Sequence, residues 1–361
     1  MQERVLDDVS ALISHVKGEI AEGKTEFELF DELDIAVGSI INSIAFGYRF
    51  SRDNRQEFYD AKKIATDTVC MGSWPTFRIM EANIDFFKKL PIFSDTYELV
   101  KKHREESHVF LYGQINRHMK SIDFDSEEEP TDFVEYFLRH KHKLDNEKNG
   151  EHNFSIKQLY STIMDLWIAG QETTATTLAW LFIYIIQNPH VQAKAQAELD
   201  EFIGSDRFVT LDDKINLNYI NAVVAETQRF CNLVPINVPH KTTRDVEIRG
   251  YKIPKGTTIM NQVSTVMHDE RYFPDAKTFK PERFIDKNGK FFAPAELMPF
   301  SVGKRACLGE ALARLELFSF AANLLNQFKF GQVPGKPVVG ERLVRGTVAP
   351  APWVCTISVR H

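Results

Sequence analysis

The sequence predicts a mainly α protein with small β-sheets. Three observations carry that expectation. Apolar residues recur at a period of 3.6 through most of the first 230 residues. After residue 240 the pattern changes to short alternating runs with Gly and Pro at turn positions. No internal repeat and no flexible linker divides the two parts, so residues 1–361 are expected to form one domain.

Helices are expected at roughly 1–21, 27–48, 55–72, 92–118, 131–140, 155–187, 190–204 and 218–231. The stretches AEGKTEF, GSWP and DFDSEEEP carry the turn signals between them. The acidic run at 123–130 reads as a solvated loop, and RHKHKLDNEKNGEH (139–152) as a polar connection. Beyond 240, RDVEIRGYKIPKGTTIMNQVST reads as hairpin strands, and DERYFPDAKTFKPERFID as a long, tied-down irregular stretch. A helix follows Cys307, and the tail VRGTVAPAPWVCTISVR reads as two short strands.

Composition bounds the function. With 361 residues, 43% hydrophobic and 26% charged, the chain can bury a large core. A net charge of -6 and the lack of a basic stripe with interleaved aromatics point away from nucleic acid. The abundant Phe suits apolar pockets as well as packing. Cys70, Cys231, Cys307 and Cys355 are far apart and form no CxxC pair, so neither a disulfide framework nor a zinc site is expected. The longest apolar run, LAWLFIYII at 178–186, is far short of the roughly 20 residues that span a bilayer and reads as a buried helix segment. The first residues, MQERVLDDVSALISHVKGEI, read as an amphipathic helix rather than a targeting segment.

The chemistry is concentrated in PFSVGKRACLGEALARLELFSF, residues 299–320. Cys307 precedes an apolar-faced helix, whose N-terminal amides and dipole favour a thiolate. Gly303 and Gly309 permit tight turns and the close approach of a flat object, and Arg305 offers a permanent charge to a carboxylate. A thiolate, room for a plane and a carboxylate partner together suggest haem with its propionates. A buried, inert Cys in a capping loop is the plainer alternative. Against it stands the spacing Phe-x-x-Gly-x-Arg-x-Cys-x-Gly, which fixes Phe300, Gly303, Arg305, Cys307 and Gly309. A chance match in a chain of this length is on the order of one in 10⁴.

Other segments carry weaker signals. AGQETT, 169–174, sets the small Ala169 and Gly170 before an acid and a hydroxyl, Glu172 and Thr173. Alone it reads either as an irregular buried helix or as a groove for O₂ with a proton-delivery pair. Glu226 and Arg229 share one helix face, and Arg283 lies in PERF, 281–284. The segment VPHKTTRDVEIRGYKIPKGT, 238–257, contains His240.

Taken in this order, these motifs resemble the cytochrome P-450 family, and the Val-Pro-His form is similar to its animal microsomal branch. The resemblance extends to FELFDELDIAVGSIINSIAFGYRF and TDFVEYFL, and so covers essentially the whole chain. It implies a haem-thiolate monooxygenase binding haem b, iron protoporphyrin IX. Cys307 would be the axial iron ligand. Phe300, Gly303 and Gly309 would shape the haem loop, and Arg305 and His240 would hold propionates. Thr173 and Glu172 would guide protons, with Ala169 and Gly170 making room for oxygen. Glu226, Arg229 and Arg283 would form a buried, structural ion cluster.

The resemblance also implies a small lipophilic substrate such as a xenobiotic, fatty acid or steroid-like compound. It would be contacted near Met71–Met80, Ile163–Thr174, Val234–Val238 and Gly346–Val348. Electrons would come from an NADPH-cytochrome reductase or cytochrome b5, at the cytosolic face of the endoplasmic reticulum membrane. WPTFR, 74–78, fits the family's Trp-x-x-x-Arg by letter, but its place and Pro75 assign it to the substrate roof. The sequence starts after the family's membrane anchor, first sheet and first helices. The expectation is therefore a fragment, partial gene product or short isoform that folds poorly and binds haem weakly. A peroxide-using or isomerising haem-thiolate enzyme, or a non-catalytic fragment, are the alternative readings.

Overall fold

A computed structural model describes residues 1–50, 54–148, 152–205, 207–344 and 346–361. They fall into two compact units: Met1–Gly23 with Glu28–Thr176, and Lys24–Phe27 with Thr177–His361. No helix among the described residues is long and apolar enough to cross a membrane.

The first unit is built on helix α1 (Gln2–Ala21) and helix α2 (Leu29–Phe46). Val5, Val9, Leu12, Ile13 and Val16 make one buried stripe on α1, as the helical period requires. Helix α2 is buried on nearly all sides. It ends at Gly47, whose φ of 76° is left-handed and whose added Cβ would stand 2.7 Å from Asp132 Oδ2. Glycine is therefore required there on two counts.

Helix α3 (Arg55–Ser73) stops at the extended Trp74, because the residue before a proline disfavours helical backbone. Pro75 then opens helix α4 (Pro75–Met80), followed by helix α5 (Ile84–Phe87) and the long helix α6 (Pro91–Ser121). The sequence pattern does not predict α4 or α5, which are too short for periodicity to register. Arg78 reaches Glu81 one turn on, at 3.3 Å.

Helix α7 (Phe133–Lys148) corrects the polar connection expected over 139–152. Its polar residues are paired along the helix, Lys141 with Asp145 and Lys143 with Glu147, and such i,i+4 pairs support a helix that has little apolar surface. Residues 149–151 of that stretch lie outside the described residues.

Helix α8 (Ile156–Gln187) starts in the first unit and ends in the second. Leu178, Ala179, Leu181, Phe182, Ile183 and Ile185 are fully buried, so the apolar run is a core segment as expected. In the second unit helix α9 (Pro189–Phe202), helix α10 (Asn218–Cys231) and helix α12 (Glu310–Gln327) pack together. The Glu198 carboxylate accepts from Tyr219 N at 2.7 Å and Ile220 N at 3.0 Å, an anion placed at the N-terminus of α10.

The strands form four antiparallel pairs. Strand β1 (His240–Lys241) pairs with β4 (Thr258–Ile259), and β2 (Val246–Ile248) with β3 (Tyr251–Ile253). Arg249 and Gly250, both at positive φ, make the two-residue turn of the second pair. The short helix α11 (Val263–Met267) follows. Strand β6 (Arg342–Val344) pairs with β7 (Val348–Pro350), and β8 (Cys355–Val359) pairs with β5 (Phe328–Gln332). The tail 344–360 holds the two expected strands, β7 and β8, and a further strand, β6, ends where it begins. The irregular stretch 268–302 carries one 3₁₀ turn, Pro281–Phe284, set against α10.

Candidate haem-thiolate site

The thiol loop is closed by its own backbone. Cys307 N donates to Phe300 O at 2.9 Å, and Ala306 N to Gly303 O at 3.0 Å. The intervening chain must turn back sharply. It does so with Ser301 at φ 64° and Gly303 at φ 80° before the 3₁₀ turn Gly303–Arg305. A Cβ at Gly303 would meet nothing within 4 Å, so that side of the loop faces open space. Gly309 is the N-cap of α12, which places Cys307 just before the helix. The Arg314 guanidinium covers the Phe300 ring at 5.0 Å and donates to Glu310 Oε1 at 2.8 Å, bracing the first turn of α12 against the loop.

The four cysteines differ sharply. Cys231 and Cys355 are buried, and burial pushes both thiols up to about 12, so they stay protonated. Cys70 is half-buried, whereas Cys307 is exposed. Arg305 is exposed in the same loop, with no side-chain hydrogen bond among the described residues. An accessible thiol, an uncommitted guanidinium and an open glycine face fit a flat, anionic, iron-bearing group. His240 is half-buried in β1, opposite Ile259. Asn237 Nδ2 donates to Ser301 Oγ at 2.7 Å, tying the segment 234–238 to the thiol loop.

Glu226, Arg229 and Arg283 meet in one cluster. Glu226 and Arg229 are fully buried. Arg229 Nε and Nη2 donate to Glu226 Oε2 and Oε1 at 2.7 and 2.9 Å, and Arg283 Nε donates to Oε1 at 3.1 Å. Each arginine then holds carbonyls of the irregular stretch. Arg229 binds Met267 O and Ala276 O, while Arg283 binds Pro274 O, Asp275 O and Thr278 O. The cluster thus fixes a segment that has almost no regular backbone pairing of its own.

In the first unit, α8 carries Ala169, Gly170, Glu172 and Thr173. Thr173 Oγ1 donates to Ala169 O at 2.6 Å, the back-bonding that residue type predicts. Ala169 lies on an exposed stripe with Asp165, whose carboxyl burial raises above its usual range. Gly170 departs from expectation. A Cβ there would stand 2.5 Å from Ile41 Cδ1, so its vacancy is taken up by α2 rather than kept for a ligand.

Sequence reasoning did not find the residues around Glu172. Asp34 on α2 is 1% exposed; it accepts from Gln171 Nε2 and contacts Lys62 Nζ on α3. Burial lowers the Lys62 ammonium, while the Glu172 and Asp31 carboxylates pull it back up. No local signal marks Lys62, because its partners come from other helices.

A profile of the Cytochrome P450 family matches residues 1–343. The chain is 33% identical to cytochrome P450 2C25 of Mesocricetus auratus, over 99% of this chain and 71% of that protein. It is 34% identical to cytochrome P450 2B19 of Mus musculus, over 95% of this chain and 66% of that protein. It is 34% identical to cytochrome P450 2C8 of Homo sapiens, over 99% and 71%. The chain thus spans between 66 and 71% of the length of these relatives. The chain belongs to the cytochrome P450 family of haem monooxygenases.

Proposed function

We propose that this chain, acting as one haem-thiolate domain, inserts one atom of O₂ into a small lipophilic substrate and releases the other as water. The observation that carries the reading is Cys307, an exposed thiol in a loop closed by the Phe300–Cys307 backbone bond. Cys307 Sγ would hold the iron of haem b, with Arg305 and His240 on the propionates and Phe300, Gly303 and Gly309 shaping the loop. The group supplies O₂ activation when bound, and a thiolate ligand favours cleavage of the O–O bond. Thr173 Oγ1 holds a proton that rotation of its hydroxyl can redirect, and Glu172, beside it on α8, would be the next group in the proton path.

Met71 and Met80 on the roof helices are buried, whereas Ile236 and Val238 are 50 and 69% exposed. By the family resemblance, the stretches around these residues, together with Ile163–Thr174 and Gly346–Val348, would each contribute mainly apolar contacts to a xenobiotic, fatty acid or steroid-like compound. An NADPH-dependent reductase or cytochrome b5 would deliver the electrons, at the cytosolic face of the endoplasmic reticulum membrane.

The test is the carbon monoxide difference spectrum of the dithionite-reduced chain, expressed with haem precursor. A Soret band strongly red-shifted from that of histidine-ligated haem, and lost in Cys307→Ser, supports the reading. Its absence overturns haem-thiolate function for this chain. Product formed with peroxide, but not with reductase and NADPH, would favour the peroxide-using alternative.

A further inference from the structure

Helices α1 and α2 bring together a second group of ligand-type side chains, which the reading above does not use. His15 Nε2 stands 3.6 Å from Glu19 Oε2, one turn further along α1, and 3.2 Å from Glu32 Oε2 on α2. The three side chains are 15, 22 and 14% exposed, and their ligand atoms all lie within 4.8 Å of one another.

Two of the three donor–donor edges have the length of a metal polyhedron's edge. Zinc holds nitrogen and oxygen donors at about 2.0–2.2 Å, so neighbouring donors of a tetrahedral site stand about 3.3–3.6 Å apart. The two measured edges, 3.2 and 3.6 Å, bracket that length. The surroundings add independent support. Arg55 Nη2 donates to Glu32 Oε1 at 2.9 Å, which fixes the carboxylate and leaves Oε2 toward His15. Outer hydrogen bonds of this kind orient ligating carboxylates. A cavity of about 170 Å³, lined by His15 and Glu32 with Ala11, Ser39 and Phe50, leaves room for a water ligand and an entry path. Within its wall Asp8 Oδ1 pairs with Arg49 Nη2 at 2.6 Å, so those two charges balance each other; with Arg55 on Glu32, the two glutamates neutralise a divalent ion in part.

The geometry points to a divalent transition-metal site made by His15, Glu19 and Glu32 with water as fourth ligand, zinc being the ion whose preferences it fits. Bound there, the ion cross-links α1 to α2 and stabilises the folded chain by mass action. The competing arrangement is a metal-free ion-pair cluster in which a protonated His15 faces both glutamates.

The full chain, treated with a chelator and then desalted, is titrated with zinc by calorimetry at pH 7.5, alongside His15→Gln and Glu19→Gln. X-ray absorption is recorded on the sample with one equivalent. The expected result is one equivalent of zinc in a nitrogen–oxygen shell at about 2.0–2.1 Å with imidazole scattering. Affinity falls at least about tenfold in each variant, and zinc raises the melting temperature of the parent chain only. Both substituted residues are partly exposed, and melts in chelator check that each variant folds. Glu19→Gln alone suffices if His15→Gln does not. No uptake at one equivalent overturns the site, as does a sulfur shell at about 2.3 Å or an affinity unchanged in the variants.

Discussion

Arg283 Nε lies 3.1 Å from Glu226 Oε1, across 57 residues of chain, and the same oxygen accepts from Lys280 N at 2.8 Å. One buried carboxylate therefore fixes α10, two arginines and the path of the stretch that leads to the thiol loop. Glu226→Gln keeps the shape but leaves two buried guanidiniums short of a counter-charge. The expected loss is about 3–5 kcal/mol of unfolding free energy, because the remaining charges stay desolvated. Denaturant unfolding measures it, and a loss below about 1 kcal/mol would show that the arginines find other partners.

Gly170→Ala sets two effects against each other. Alanine gains roughly 1 kcal/mol of helix propensity over glycine. Its Cβ also meets Ile41 Cδ1 at 2.5 Å, and overpacking costs about 1–3 kcal/mol. Gly170→Ala alone is expected to be neutral to destabilising. Added to Ile41→Val, which removes the clashing carbon, it is expected to stabilise. Four unfolding curves make the cycle; a Gly170→Ala effect that is the same in both backgrounds would mean that α2 does not use the vacancy.

His118 gives the first unit a pH dependence of defined sign. Its Nε2 lies 3.1 Å from Asp132 Oδ2, and that hydrogen bond raises the imidazole above its usual value against the opposing effect of burial. A raised folded value means a contribution fully present below the unfolded value, near 6.5, and lost as pH rises through the folded one. The stability difference between the parent chain and His118→Asn should therefore be largest near pH 5.5–6 and shrink by pH 9. His103 acts in the other direction, since burial lowers it, and it is common to both proteins. A difference that grows with pH would refute the pairing.

Asn237→Ala removes the 2.7 Å bond to Ser301 Oγ. A part-buried bond of this kind is worth about 0.5–1.5 kcal/mol. The expected result is faster haem loss to an apo-globin acceptor. Ser301→Ala should have the same effect, and the double variant no further one. Additive effects would assign the two residues separate roles.

Much of the molecule was legible because its signals are local. The 3.6 period of α1, the turn before Pro75 and the glycines around Cys307 act within a few residues of themselves, so a sequence contains their causes. The spacing from Phe300 to Gly309 likewise encodes a loop that closes on its own backbone. Helix α7 was misjudged because its stability comes from charged pairs one turn apart, which resemble a solvated loop in composition. The short helices α4 and α5 lack the length that periodicity needs.

By itself, then, the sequence determined the long apolar-faced helices and the spacing of the thiol loop, and its family resemblance implied the buried ion cluster. Tertiary structure alone decided which atom fills the vacancy at Gly170, that Lys62 and Asp34 attend the Glu172 turn, and that His15 meets Glu32 across two helices. The reason is physical: a side chain's conformational preference is set by its neighbours in sequence. Its partner is set by which helix faces the packing of apolar stripes brings within a few ångströms.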